Sequence, residues 1–301
     1  MPFKSRTVSD ELKIWRSLNA RMELTEKEKR YYFYKEKGFE GEVKFDLLTE
    51  KLAGERIILN DLLFEVNNTK FQIDTTIIFQ ETIDLFEVKN YEGDYLYNSG
   101  SFYTVSGKEI QNPLDQLKRC ESLFRQLLQS LGFKIPIEGK IIFINPEFTL
   151  YNGPQNQSII YPTQINQFMK KLNSKPSKLN ERHRRLAEKL VSLHQIESPY
   201  KRLRHYEINQ IRNGFCCGSC HSLLISVRGT KLICNLCGKE ERVESAILQS
   251  VEELKLLFPS KKITTGVIYE WCKFSVSKKV IQRVLVQNYK SMGCQRGIYY
   301  E

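Results

Sequence analysis

Apolar residues recur at helical spacing through the first fifty residues and then give way to extended runs. Asp10–Leu18 and Thr25–Lys35 read as helices, the second opened by a Thr25-x-x-Glu28 capping box. Gly38–Ala53 carries Phe39, Val43, Leu47, Leu48 and Leu52 on one helical face and stops before Gly54, a residue suited to a C-terminal cap. Arg56–Val66, Phe71–Phe79 and Ile83–Asn90, rich in Ile, Phe, Leu and Val, predict strands. Pro113 marks the start of a helix running to about Leu131, and Lys140–Asn145 predicts another strand. This order predicts an α/β (α+β) domain over residues 1–165, N-terminal helices included. A basic helical linker over 166–213, a cysteine module over 214–243 and a helical module over 244–301 complete the chain. The linker includes Arg182, His183, Arg184 and Arg185, read as a solvated helix face.

The first chemistry emerges from strand alternation. Along Phe71–Phe79, Phe71, Ile73, Thr75 and Ile77 should share one face, and Gln72, Asp74 and Thr76 the other. Glu87 and Lys89 share a face on the next strand. A hairpin with an even-numbered loop would set Asp74 opposite Glu87 or Lys89, so two carboxylates and a lysine would converge. Such a cluster is costly inside a sheet unless a cation or solvent compensates it. Mg²⁺ (or Mn²⁺), a hard ion preferring oxygen ligands, would supply that compensation. It could then polarise a phosphate and activate water, with Lys89 holding the water or stabilising developing charge. The competing reading of Glu-x-Lys is a surface salt bridge on an edge strand.

Gly38-Phe-Glu-Gly-Glu42, Gln72-Ile-Asp74, Phe86-Glu-Val-Lys-Asn90 and Pro113-x-x-Gln116, in that order, resemble the nuclease-related domain (NERD) family. That family is grouped with the PD-(D/E)xK restriction-endonuclease fold, a mixed sheet flanked by helices. The resemblance implies that Asp74 and Glu87 are metal ligands and that Lys89 is the catalytic lysine. It also implies that Glu42 approaches the metal or its waters and that Gln116 supports the site. Ile73 stands where the textual motif has proline, which leaves the ligands intact. Tyr31, Tyr32, Phe33 and Tyr34 read as packing a helix against the sheet, Asp46, one helical turn beyond Glu42, as a solvated residue or else a support to the site, Asp84 and Asp94 as loop or edge residues, and Cys120 as a core thiol.

The second half carries Cys217-x-x-Cys220 and Cys234-x-x-Cys237. Each pair can present two thiolates to one tetrahedral ion, and Leu223–Val227 can pair with Thr230–Ile233 around Arg228-Gly229, which predicts a structural zinc ribbon. Cys216 is an alternative first ligand, and His221 a further one. Ile263–Lys273 and Ser277–Lys290 predict two helices with Val267, Trp271, Val280, Ile281, Val284 and Leu285 buried. Lys278, Lys279, Gln282 and Arg283 then face outward as candidate nucleic-acid contacts. The pattern resembles a helix-turn-helix with Gly297–Tyr300 as a short wing; a helical hairpin packed on the ribbon fits equally.

Charge changes the picture by its distribution. Of the net +11, residues 166–301 contribute 25 Lys+Arg against 11 Asp+Glu, whereas the first 165 residues sum to −3. A basic half joined to a neutral one suggests a polyanion as partner. No apolar run is long enough to span a bilayer and no signal-peptide pattern is present, which predicts a cytoplasmic protein without a membrane partner. Joined to the resemblance, these features imply a metal-dependent nuclease on DNA, with RNA and a homo-oligomeric state left open. The competing readings are a DNA-binding regulator whose nuclease-like domain no longer cuts, and an interaction module whose ribbon contacts protein.

Overall fold

The computed structural model describes residues 1–155, 158–195, 204–223, 225–294 and 297–301. The chain opens with helices α1 (Asp10–Arg21) and α2 (Glu26–Thr49), followed by strands β1 (Ile57–Val66), β2 (Thr69–Ile78), β3 (Ile83–Lys89), β4 (Gly93–Asn98), β5 (Ser101–Thr104) and β6 (Glu109–Ile110). Next come α3 (Pro113–Ser130), β7 (Ile137–Phe143), β8 (Phe148–Tyr151), β9 (Ile159–Ile160), α4 (Ile165–Asn173) and α5 (Glu181–Leu193). The remainder comprises β10 (Ile225–Arg228), β11 (Lys231–Cys234), β12 (Glu240–Arg242), α6 (Val243–Leu257), α7 (Thr265–Trp271), α8 (Lys278–Asn288), β13 (Ser291–Met292) and β14 (Tyr299–Tyr300).

Two helices predicted across 25–53 are one. α2 runs through Gly38, whose cost of roughly 1 kcal/mol relative to alanine is carried by the helix formers around it. The predicted capping box forms: Thr25 N donates to Glu28 Oε2 at 2.8 Å, and Glu28 N donates to Thr25 Oγ1 at 3.4 Å.

The chain forms two compact units, Met1–Val8 with Tyr34–Tyr200, and Ser9–Phe33 with Lys201–Glu301. This differs from the expected boundary at 165 on both sides. Residues 9–33 group with the second unit because α1 buries Ile14, Trp15 and Leu18 in the core that holds Ile247, Val251 and Leu254 of α6. Residues 166–195 group with the first, where α4 and α5 bury Leu172, Leu186, Ala187 and Leu190 against the sheet. The arginines of α5 are solvated, Arg184 pairing with Glu188 and Arg185 with Glu181, whereas His183, expected on the same solvated face, is buried with its Nε2 3.0 Å from Gln80 O. The part of the basic linker at 196–203 lies outside the described residues.

The first unit is built on a mixed sheet of order β1-β2-β3-β7-β9, with β1, β2 and β3 antiparallel and β7 and β9 added in parallel. One face packs on α3 and α5 through Phe64, Phe71, Ile73, Leu85, Phe124 and Leu190. The other packs on α2 and α4 through Phe45, Ile77, Phe86, Val88, Ile142 and Leu172. A smaller sheet, β6-β5-β4-β8, encloses a third core around Phe102, Phe143 and Phe148.

The second unit joins a three-stranded β10-β11-β12 sheet to α1, α6, α7 and α8 around one core. Arg21 ties it together: fully buried, it pairs with Glu253 at 2.6 Å, donates to the carbonyls of Arg212 and Gly214, and lies 4.4 Å over the Trp271 ring.

Candidate active site and metal centre

The β2–β3 hairpin closes through residues 79–82, with Phe79 N bonded to Thr82 O at 2.9 Å. This four-residue loop pairs Thr75 with Phe86, so the next step in register sets Asp74 against Glu87. Strict alternation along β2 does not hold. Phe71 and Ile73 enter the core under α3 and α5, whereas Ile77 enters the core under α2. The break falls where β1 and β2 are paired at Asn60↔Thr75 and Leu62↔Ile73 with no ladder pair between them, the place of Asp61 and Asp74. Asp61 adopts a left-handed φ of 55°, which interrupts the ladder and turns both strands locally.

Asp74 is anchored there by Val88 N, which donates to Oδ2 at 2.8 Å. Lys89 Nζ donates to Glu87 Oε1 at 2.7 Å and to Gln116 Oε1 at 3.0 Å, and Gln116 Nε2 donates to the same Glu87 oxygen at 2.5 Å. Gln116 reaches the strand from the first turns of α3, which Asn112 caps and Pro113 opens. Glu42 arrives from α2. The glycine before it makes this approach possible, since a Cβ on Gly41 would fall 2.5 Å from Asn90 Cβ and 3.2 Å from Ile144 Cγ2. Glu42 Oε2 accepts from Arg6 Nη1 at 2.6 Å.

Electrostatics follow from burial. Asp74 and Glu87 are only 8% and 4% exposed. Burial, reinforced by Glu87 and Glu42, raises the Asp74 carboxyl well above its ordinary range against the opposing pull of Lys89 and the Val88 amide. Burial likewise pushes Glu42 up to about 7; Arg6 opposes, while Asp61, Glu87 and Asp46 reinforce. Burial alone would lower the Lys89 ammonium, yet Glu87, Tyr91 and Asp74 outweigh it and hold the group protonated. Lys89 is therefore a fixed cation rather than a base. The buried oxygens of Asp74, Glu87 and Glu42, gathered around one point, are the hard donor set that a divalent ion such as Mg²⁺ fits.

Asp61 and Arg6 are not anticipated from the sequence, and Asp46 follows the second of its two readings. Asp46 is buried at 8% and pairs with Arg6 at 2.8 Å, because it lies one turn beyond Glu42 on the face of α2 that meets β2. Asp61 is signalled in sequence only by the polar Asn60-Asp61 step inside an apolar strand. Arg6 left no signal at all. Asp84, expected at a loop or edge, is buried within β3 and neutralised by Lys175 at 2.8 Å. Tyr31 and Tyr32 pack on the helical core of the second unit rather than on a sheet, while Phe33 and Tyr34 are exposed. Cys120 is a buried thiol on α3.

In the second unit the Sγ atoms of Cys217, Cys220, Cys234 and Cys237 lie within 4.8 Å of one another, a cluster arranged to hold a structural metal such as zinc. The hairpin that carries it pairs Ile225–Arg228 with Lys231–Cys234, so the turn is Gly229-Thr230, one residue later than predicted; the glycine supplies φ 60°. The backbone amides of Cys237 and Leu236 pull the Cys234 thiol down to about 6. Cys216 is outside the cluster and donates to His221 O at 3.3 Å.

Helices α6, α7 and α8 bury Ile247, Val251, Ile268, Trp271, Ile281, Val284 and Leu285 together. β14 pairs with β13 and, through Tyr300, with Ile263, which precedes α7. Lys278, Lys279, Gln282 and Arg283 are exposed on α8. A cleft of about 600 Å³ lies at the start of this helix, lined among others by Lys231, Arg242, Glu244, Ser277 and Arg283. Among the described residues no helix is long and apolar enough to cross a membrane.

The family model of the nuclease-related domain matches residues 37–144, the segment that holds Glu42, Asp74, Glu87, Lys89 and Gln116. No curated protein and no solved structure matches the chain.

Proposed function

From the premise that the chain carries a nuclease-related domain, we propose that it is a metal-dependent nuclease cleaving phosphodiester bonds in DNA. The observation that carries this reading is the convergence of Asp74, Glu87, Lys89 and Gln116 at one point of the sheet, with Glu42 brought beside them by Gly41. Asp74 and Glu87 would hold Mg²⁺ or Mn²⁺. Such an ion, when bound, supplies Lewis acidity toward the scissile phosphate. Lys89, kept protonated and aimed by Glu87 and Gln116, stabilises negative charge that builds on the phosphate oxygens. Glu42, titrating near neutrality, is suited to hold or take a proton from water.

The basic second unit would hold the nucleic acid. α8 offers Lys278, Lys279, Gln282 and Arg283 on its exposed face, and its N-terminal turn opens onto the cleft lined by Lys231 and Arg242. The Arg283–Glu244 and Lys231–Glu240 pairs there are more than half exposed. Pairs of that kind are worth about 0–1 kcal/mol, so exchange for a phosphate costs little. The four-cysteine cluster would hold Zn²⁺ to fold the ribbon.

The test is cleavage of plasmid, single-stranded and branched DNA with Mg²⁺ or Mn²⁺ by the wild-type chain, Asp74→Ala and Lys89→Ala. Metal-dependent cutting reduced at least ~100-fold in both variants is expected. Salt-sensitive DNA binding without cutting would instead support a non-catalytic DNA-binding protein.

A further inference from the structure

Residues 1–8 lie outside the matched domain, yet they deliver the most heavily bonded side chain near the carboxylates. Phe3 N donates to Ile58 O at 2.8 Å, and Asn60 N donates to Lys4 O at 2.9 Å, so the segment runs along the free edge of β1 in parallel. Lys4 reinforces this by donating from Nζ to the carbonyls of Asn60 and Asp61, at 2.7 and 2.8 Å. Two residues on, Arg6 turns inward and its side chain is only 3% exposed.

Its guanidinium uses all three nitrogens. Nη1 donates to Glu42 at 2.6 Å, and Nε and Nη2 grip both Asp46 oxygens at 2.8 and 3.1 Å. Nη2 also reaches the carbonyl of Asp74 at 2.6 Å and Thr75 Oγ1 at 3.4 Å. We infer that Arg6 is a positioning residue of the carboxylate site, fixing Glu42 on α2 against the strand that presents Asp74.

Three features separate this role from a plain helix-to-strand clamp. Arg6 contacts Asp74 through its backbone, leaving the carboxylate to the site. The Glu42 side chain remains 22% exposed while Arg6 beneath it is closed off, so the guanidinium fixes the carboxylate from behind. The contacts require a planar fork with donors in several directions, which a lysine ammonium cannot reproduce although it carries the same charge.

The inference rests on the metal-site reading, and the experiment distinguishes the two. Mn²⁺ binding by the full chain is measured by titration calorimetry for wild type, Asp74→Ala and Arg6→Lys, with thermal unfolding of each as a check on folding. Wild type should bind one more Mn²⁺ than Asp74→Ala, and Arg6→Lys should bind that ion at least ~10-fold more weakly while remaining folded. Because charge is conserved, such a loss reports geometry. With DNA, kcat of Arg6→Lys should fall while KM stays within about twofold. Unchanged Mn²⁺ affinity and kcat in Arg6→Lys would overturn the role of Arg6 and leave the metal site standing. Equal stoichiometry in wild type and Asp74→Ala would overturn the metal site and this inference with it.

Discussion

Glu42 shows how a single side chain carries the energetics of the site. Its ordinary value of 4.5 is raised to about 7, chiefly by burial. Between those values the folded chain holds a proton that the unfolded chain has released, so this group's contribution to stability falls as pH rises through the window. Glu42→Gln removes that dependence. Relative to wild type without added divalent ion, the variant should gain on the order of 2 kcal/mol between pH 5 and pH 7.5, measured by denaturant unfolding at each pH. A parallel pH dependence in the two chains would show that Glu42 ionises normally. Asp74 is shifted in the same direction, and an ion held by its deprotonated carboxylate would offset that penalty.

At the scale of elements, the site depends on how closely α2 approaches β3. Gly41 lets the helix backbone lie against Asn90 and Ile144, and Glu42 follows it to the sheet. Gly41→Val would force the helix outward. Overpacking of this kind costs about 1–3 kcal/mol, and it should also reduce cleavage more than stability alone explains, because Glu42 moves with the helix. Chemical denaturation and a cleavage assay on the same preparation check both parts. The neighbouring Gly38 makes no such close approach, so Gly38→Ala should stabilise α2 by up to about 1 kcal/mol with activity intact.

Across the whole molecule, two units with separate cores predict separable unfolding. The small β10-β11-β12 sheet has little apolar content of its own, and its hairpin is held by the cysteine cluster. Cys234→Ser should therefore release a stoichiometric metal ion and lower one thermal transition, that of the second unit, while leaving the transition of the first in place. Metal analysis and calorimetry read the two effects separately. Retained metal would refute the ligand assignment, and a single transition lowered as a whole would refute independent unfolding. The charge asymmetry belongs to this scale too, since the basic residues of 166–301 fall in both units, on α4 and α5 of the first and on surfaces including α8 of the second.

The linear chain determined what depends on local order. α1, β1, β2, β3 and β7 are legible in the runs of apolar residues, the Thr25–Glu28 box in capping chemistry, and the cysteine cluster in the spacing of two Cys-x-x-Cys pairs. Asp74, Glu87, Lys89 and Gln116 were legible because an even-numbered hairpin loop and ordered motifs bring them together. Tertiary structure alone decided the rest. The left-handed turn at Asp61 broke the alternation of β2, the pairing of Phe3 and Lys4 with β1 delivered Arg6 to Glu42 and Asp46, and the apolar face of α1 sent residues 9–33 to the second unit. The last two join residues far apart in sequence, and a long-range contact depends on the shape of both surfaces, which no local pattern encodes.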